Sequence, residues 1–321
     1  MTSSASNEQR HFKDLRIVFM GTPEFAVSSL DALVKAGMNI VGVVTAPDKA
    51  AGRGMKLMQS AVKAYASAHH LKVLQPVKLK DPHFIQELSE LKPDLQVVVA
   101  FRMLPEVVWN LPPMGTINVH ASLLPHYRGA APINWAIING ERETGITTFQ
   151  LKHEIDTGNI LLQEKVEISE TQTAGELHDV LKEKGSSLLV KTIVELSEGS
   201  VVPQPQSKLI DESLIKHAPK LFTETCKIDF QQPLEKVYNL IRGLSPYPGA
   251  FTFMNEKMIK IFRAQKEETI VKEEPGSILS DRKTFIKIAC KDGYINLLEI
   301  QMEGKKRMAV ADFLKGYRWE S

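Results

Sequence analysis

Asn118, His120 and Asp156 are the side-chain types with which an amine can take an acyl group from a neutral donor without a metal or a covalent nucleophile. An amide donates to a developing oxyanion, an imidazole moves a proton, and a carboxylate orients and charge-stabilises the imidazole. Residues 116–120 read as a strand, in which positions two apart share a face. Asn118 and His120 then stand side by side and Val119 points the other way. The run 115–120 is apolar and β-branched enough to be buried, and Leu123-Leu124-Pro125-His126 ends it as a turn. The polar pair is therefore expected at the C-terminal end of a strand, where open α/β sheets bind ligands. An asparagine and a histidine in a strand can also satisfy each other or nearby backbone in a core, so the pair alone leaves both readings open.

Around this pair the chain alternates strand and helix signals. Residues 16–20 read as a buried strand, and Gly21-Thr22-Pro23-Glu24 supplies a turn, an N-cap at Thr22 and a proline at the first helical position. A helix to about residue 36 is ended by Gly37, and a strand over 39–45, a helix near 60–70 and a short strand at 72–74 follow. Asp81-Pro82 opens another helix, 95–100 is a continuous apolar strand, and 115–120 is the next. The pattern predicts a doubly wound, mostly parallel, Rossmann-like α/β sheet over residues 16–202. Only Gly21 follows the first strand, so no G-x-G-x-x-G phosphate loop exists and dinucleotide binding is rejected; Gly21 is assigned to a tight strand-to-helix turn.

A long helix over 174–196 ends near Gly199, and the proline-rich run Val201-Val202-Pro203-Gln204-Pro205-Gln206-Ser207 marks a linker at 203–217. Beyond it, strands at 257–264, 276–279, 284–290 and 293–302 with a helix at 234–243 predict a small OB-like β-barrel domain over 218–321.

Composition excludes more than it assigns. With 321 residues, 43% hydrophobic and 24% charged, the chain has room for two domains. Cys226 and Cys290 lack metal or disulfide spacing and read as small buried hydrophobes in a reducing compartment. Residues 1–15 read as a flexible tail without the apolar centre of a signal peptide, and no apolar run approaches about 18 residues, so no membrane span is expected. The reading is a cytoplasmic protein with no metal and no sign of an obligate oligomer, hence a monomer. Residues 1–215 carry 21 Lys/Arg against 24 Asp/Glu, whereas 216–321 carry 19 against 14. A basic second part is a mild pointer to a polyanionic partner, although solvated lysines look the same.

Residues 117–132, INVHASLLPHYRGAAP, and the block 151–161 around Asp156-Thr157-Gly158 closely resemble the signatures of the folate-dependent formyltransferases. The resemblance implies catalytic roles for Asn118, His120 and Asp156, and folate contacts from Ser122, Leu123, Leu124 and Pro125. Phe101-Arg102-Met103-Leu104 follows the apolar strand at the place where that family wraps backbone around a pterin. The tRNA-acting members often carry Tyr-Gly there, so Arg102 is a departure; backbone hydrogen bonds to a pterin would survive it. Residues 45–49, 51–58, 218–221 and 240–250 resemble the insert and second domain of this tRNA-acting branch. A Gly-rich loop bearing Lys49, Arg53 and Lys56 has the flexibility and charge to order against an RNA backbone, a mobile solvated loop being the alternative. Lys305, Lys306, Arg307 and Arg242 are further phosphate candidates that nothing ranks.

The implied reaction is formyl transfer from N10 of 10-formyltetrahydrofolate to the α-amine of initiator methionyl-tRNA, with the co-substrate and the tRNA as partners. Rival readings are a small-molecule formyltransferase acting on a glycinamide nucleotide or an amino sugar, a formyl-folate hydrolase, and a non-catalytic RNA-binding protein.

Overall fold

The computed structural model describes residues 11–51 and 56–317. Two compact units divide the chain. One comprises the residues up to 128 with 145–166 and 180–216; the other comprises 129–144, 167–179 and the chain from 217 on.

The first unit is built on a seven-stranded sheet. In chain order its elements are β1 (Ile17–Gly21), α1 (Glu24–Lys35), β2 (Ile40–Val44), the short strands β3 (Lys49–Ala51) and β4 (Lys56–Met58), α2 (Ala61–Ala68), β5 (Val73–Leu74), α3 (Pro82–Glu90), β6 (Leu95–Val99), α4 (Glu106–Trp109), β7 (Thr116–His120), most of β8 (Glu143–Gln150) and β9 (Ile160–Glu167), and α5 (Ala174–Ser197) from residue 180 on. Strand order is β9-β8-β7-β6-β1-β2-β5. The pairs β1 with β2, β1 with β6, β2 with β5 and β6 with β7 are parallel, and β8 returns antiparallel to β7. β1 and β6 are buried at every position, as central parallel strands covered on both faces must be. The chain runs outward from β1 to β5 and comes back to β6 on β1's other side, so strand order reverses there and the C-terminal strand ends open a crevice.

Local chemistry sets most boundaries. Ser60 Oγ accepts from Lys63 N at 3.0 Å to cap α2, and Asp81 caps α3 with Pro82 in the first turn. Thr173 and Glu176 close a reciprocal capping box at the start of α5, with Thr173 N donating to the carboxylate at 2.8 Å. Two expectations change in reason. The residue capping α1 is Pro23, which supplies no side-chain bond, and not Thr22. Gly21 keeps a structural role through close approach: a Cβ there would meet Ala26 Cβ at 2.6 Å, which is how α1 sits tightly on the sheet.

The second unit is an antiparallel β domain of the OB-like class. It contains the helix Pro132–Ile138, α6 (Leu234–Gly243), β10 (Ala250–Met254), β11 (Lys257–Glu267), β12 (Ile278–Ser280), β13 (Ile286–Ala289), β14 (Tyr294–Met302), β15 (Met308–Ala309) and α7 (Val310–Gly316). Strand order is β10-β11-β14-β13-β12, with β15 on β14. Ile241, Ile259, Ile261, Ile288, Ile295 and Ile300 lie at its core.

Among the described residues no helix is long and apolar enough to cross a membrane. Cys226 and Cys290 are free and buried. Burial raises both thiols, that of Cys290 to about 12. Neither should therefore react with a disulfide reagent at pH 8 until the protein unfolds, when both should be labelled; rapid labelling of native protein would contradict this packing.

Candidate active site

His120 ends β7 and is 7% exposed. Its Nε2 lies 2.8 Å from the carbonyl oxygen of Tyr127. A carbonyl only accepts, so Nε2 carries the hydrogen and, in the neutral ring, Nδ1 holds the lone pair. Nδ1 faces Asp156 Oδ2 at 3.8 Å, too far for a hydrogen bond but within ion-pair range once the ring is protonated. Tyr127 thus holds the ring at Nε2, and the Asp156 carboxylate stands across from Nδ1 as a nearby charge. Phe149, opposite Asn118 across the β7–β8 ladder, presents an edge to the imidazole at 6.4 Å between centroids. Asn118 is partly exposed, and no other described residue hydrogen-bonds its amide.

Tyr127 and Asp156, which face the two imidazole nitrogens, both adopt left-handed backbone, with φ of 60° and 55°. Such non-glycine conformations persist where surrounding contacts hold them. The Asp156 turn is closed by Thr157 Oγ1 donating to Glu154 O at 3.1 Å. Gly158 permits it: a Cβ there would sit 1.5 Å from the carbonyl oxygen of Gln150. The carbonyls of Asp156 and Gly158 both accept from Gln206 Nε2 at 2.8 Å. Gln206 lies in the stretch read as a linker, where proline-rich sequence gave no signal of a buried role.

The 122–126 turn is organised by one hydroxyl. Thr147 Oγ1 donates to Ser122 O at 2.6 Å and accepts from Leu124 N at 3.1 Å and from Gln163 Nε2 at 2.9 Å. Ser122 Oγ donates to His126 O, and Gln163 Nε2 also reaches Leu124 O. Leu124 is buried against Phe149 and Ile160, and of Ser122, Leu123, Leu124 and Pro125 only Leu123 is partly exposed.

Beyond β6, Arg102 is occupied. Its guanidinium donates to the carbonyls of Val77, at 2.8 Å, and Pro76, and it lies over the Phe101 ring; burial lowers its pKa. Leu104 joins the core while Met103 is exposed. The main chain of Phe101, Arg102, Met103 and Leu104 makes no hydrogen bond to other described residues.

Lys49 and Lys56 belong to an antiparallel pairing, with Lys49 opposite Met58 and Ala51 opposite Lys56. Lys49 is exposed, and Arg53 lies outside the described residues. In the second unit Arg242 is buried, donating to Asn239 Oδ1 at 2.8 Å and towards the carbonyls of Ser169 and Gln172, so it is a structural cation and not a surface phosphate contact. Arg307 makes a bidentate pair with Glu299, whereas Lys305 and Lys306 are exposed. No cluster of three or more metal-ligating side chains occurs among the described residues.

Residues 15–193 match the family model described as formyl transferase, and 220–318 match that described as formyl transferase, C-terminal domain. The chain is 53% identical over 310 residues to a methionyl-tRNA formyltransferase of Bacteroides fragilis, covering 95% of this chain and 96% of that one. It is 54% identical over 310 residues to the enzyme of that name from Azobacteroides pseudotrichonymphae, covering 94% and 95%. The crystal structure of an N-formyltransferase from Helicobacter canadensis, in complex with folinic acid and dTDP-3-aminofucose, shares the fold with a TM-score of 0.68 at 20% identity, covering 92% of this chain and 100% of that one.

Thr147→Val removes a donor and an acceptor from a buried three-way junction and orphans Leu124 N. It should lower unfolding free energy by about 2–4 kcal/mol, read by denaturant titration; a loss under about 0.5 kcal/mol would mean that the turn does not depend on this hydroxyl.

Proposed function

The chain belongs to the formyl transferase family, and we propose that it transfers the formyl group of 10-formyltetrahydrofolate from N10 to the α-amine of initiator methionyl-tRNA. The observation that carries this reading is the buried imidazole whose Nδ1 faces the Asp156 carboxylate while a main-chain carbonyl occupies Nε2. The name of the half-identical relatives points to the acceptor, and the folinic acid bound by the structural neighbour points to the donor class.

The uncharged α-amine attacks the formyl carbon; as the new C–N bond forms, the carbonyl electrons move onto oxygen, and the Asn118 amide donates to that oxyanion. Because Tyr127 holds Nε2, Nδ1 is the nitrogen that takes the proton from the attacking amine and returns it to N10 as the C–N10 bond breaks. Asp156 stabilises the imidazolium in between. At 3.8 Å it attracts that charge without capturing the proton in a direct bond.

The free main-chain groups of Phe101, Arg102, Met103 and Leu104 take the pterin, and Ser122, Leu123, Leu124 and Pro125 give the pocket its wall. Arg102 serves by fixing the main chain at 76–77. Lys49, Arg53 and Lys56 meet the acceptor end of the tRNA, and residues 218–321 form the tRNA-binding domain, joined through 203–217 to a catalytic domain at 16–202. A monomer acting in the cytoplasm goes with this reading.

The test is incubation with 10-formyltetrahydrofolate and methionine charged onto initiator and elongator tRNAs in parallel. Formylmethionine on the initiator species is expected; folate consumption without it would favour a small-molecule acceptor or hydrolysis. In the same assay Asn118→Ala and His120→Ala should each lose roughly 100-fold or more in turnover with an unchanged fold by circular dichroism, and near-wild-type turnover in both would sink the assignment.

A further inference from the structure

We propose that Gln206 is a positioning residue for the transfer, acting through Asp156, within a stretch that fixes both groups flanking the His120 ring. This inference rests on the reading of His120 and Asp156 given above.

Gln206 is 2% exposed and uses its whole amide. Oε1 accepts from Arg128 Nε at 3.0 Å and Nη2 at 2.7 Å, and Nε2 donates to the carbonyls of Asp156 and Gly158, both at 2.8 Å. Guanidinium only donates and carbonyls only accept, so a flipped amide would oppose like with like in all four contacts and the orientation is determined. The same stretch is anchored on either side of this amide. Gln204 and Ile160 exchange main-chain bonds at 2.8 and 2.9 Å, and Lys216 O accepts from Tyr127 N at 2.5 Å. One end therefore grips the turn that aims Asp156 at Nδ1, and the other grips the residue whose carbonyl holds Nε2. Both gripped residues have left-handed backbone, which relaxes when its tethers are removed. A spacer would leave its polar side chains in water; Gln206 is instead buried, with its amide fully bonded.

The experiment compares Gln206→Ala and Gln206→Glu, each alone and combined with Asp156→Asn, by steady-state kinetics with 10-formyltetrahydrofolate and methionyl-tRNA. Gln206→Glu keeps a partner for Arg128, and so protects the fold if Gln206→Ala does not, but it loses both donors to the Asp156 turn. Each change alone should lower kcat roughly 10- to 100-fold with KM for both substrates within about twofold, because misplacement of the order of 1 Å acts on the chemical step. On the Asp156→Asn background it should lower kcat by less than about twofold, since the route through Asp156 is already lost. Equal losses on both backgrounds, an effect on KM alone, or an unchanged kcat would overturn the proposal. A crystal structure of Gln206→Glu is a readout that needs no acceptor: the separation of His120 Nδ1 from Asp156 should widen from 3.8 Å, and an unchanged separation would also overturn it. Wild-type protein that fails to formylate methionyl-tRNA would instead remove the acceptor reading and leave the structural comparison to judge Gln206.

Discussion

The hydrogen bond from His120 Nε2 to the carbonyl of Tyr127 is the constraint on which the site depends. It fixes the tautomer and the plane of the ring, and it reserves Nδ1 for the side where Asp156 stands. Much of the nearby architecture serves to keep that carbonyl where it is. The antiparallel return of β8 sets Thr147 opposite His120, and its hydroxyl knots the turn that leads from β7 to Tyr127. Asp156 is placed separately, by a turn that needs a glycine at 158 and takes two hydrogen bonds from Gln206.

What was legible in the sequence is what has a period or a turn chemistry. Continuous apolar runs marked β1 and β6, the spacing of two put Asn118 and His120 on one face, and Ser60, Asp81 and Gly37 marked helix ends. The strands Glu143–Gln150 and Ile160–Glu167 carry threonine and charged residues where a buried strand would show aliphatics, and they were missed. Tyr127 was invisible for a deeper reason. It acts through a main-chain carbonyl and bends the chain with left-handed φ but no glycine, so no side-chain signature records either property. Gln206 was hidden by its prolines, and Arg242 was misjudged because a cation reads as surface until its three acceptors are seen.

The same bonds qualify the charge argument. The second part of the chain has an excess of basic residues, yet Arg307 is held by Glu299, Lys266 by Glu235, Lys287 by Glu267 and Lys315 by Asp312. Exposed pairs of this kind add little stability, but they reduce the field that an approaching phosphate would feel. Formal charge thus overstates the field, while Lys305 and Lys306 are exposed without such an ion pair among the described residues.

The groups that aim the imidazole and the carboxylate are carbonyls of Tyr127, Asp156 and Gly158, and a carbonyl is common to all residues. Other side chains around the crevice can therefore be exchanged over evolutionary time without moving these carbonyls, provided that Thr147, Gly158 and Gln206, which fix the backbone path, survive. The aim of the imidazole and the carboxylate and the lining of the crevice become separately heritable, the first written in the course of the chain and the second in its side chains.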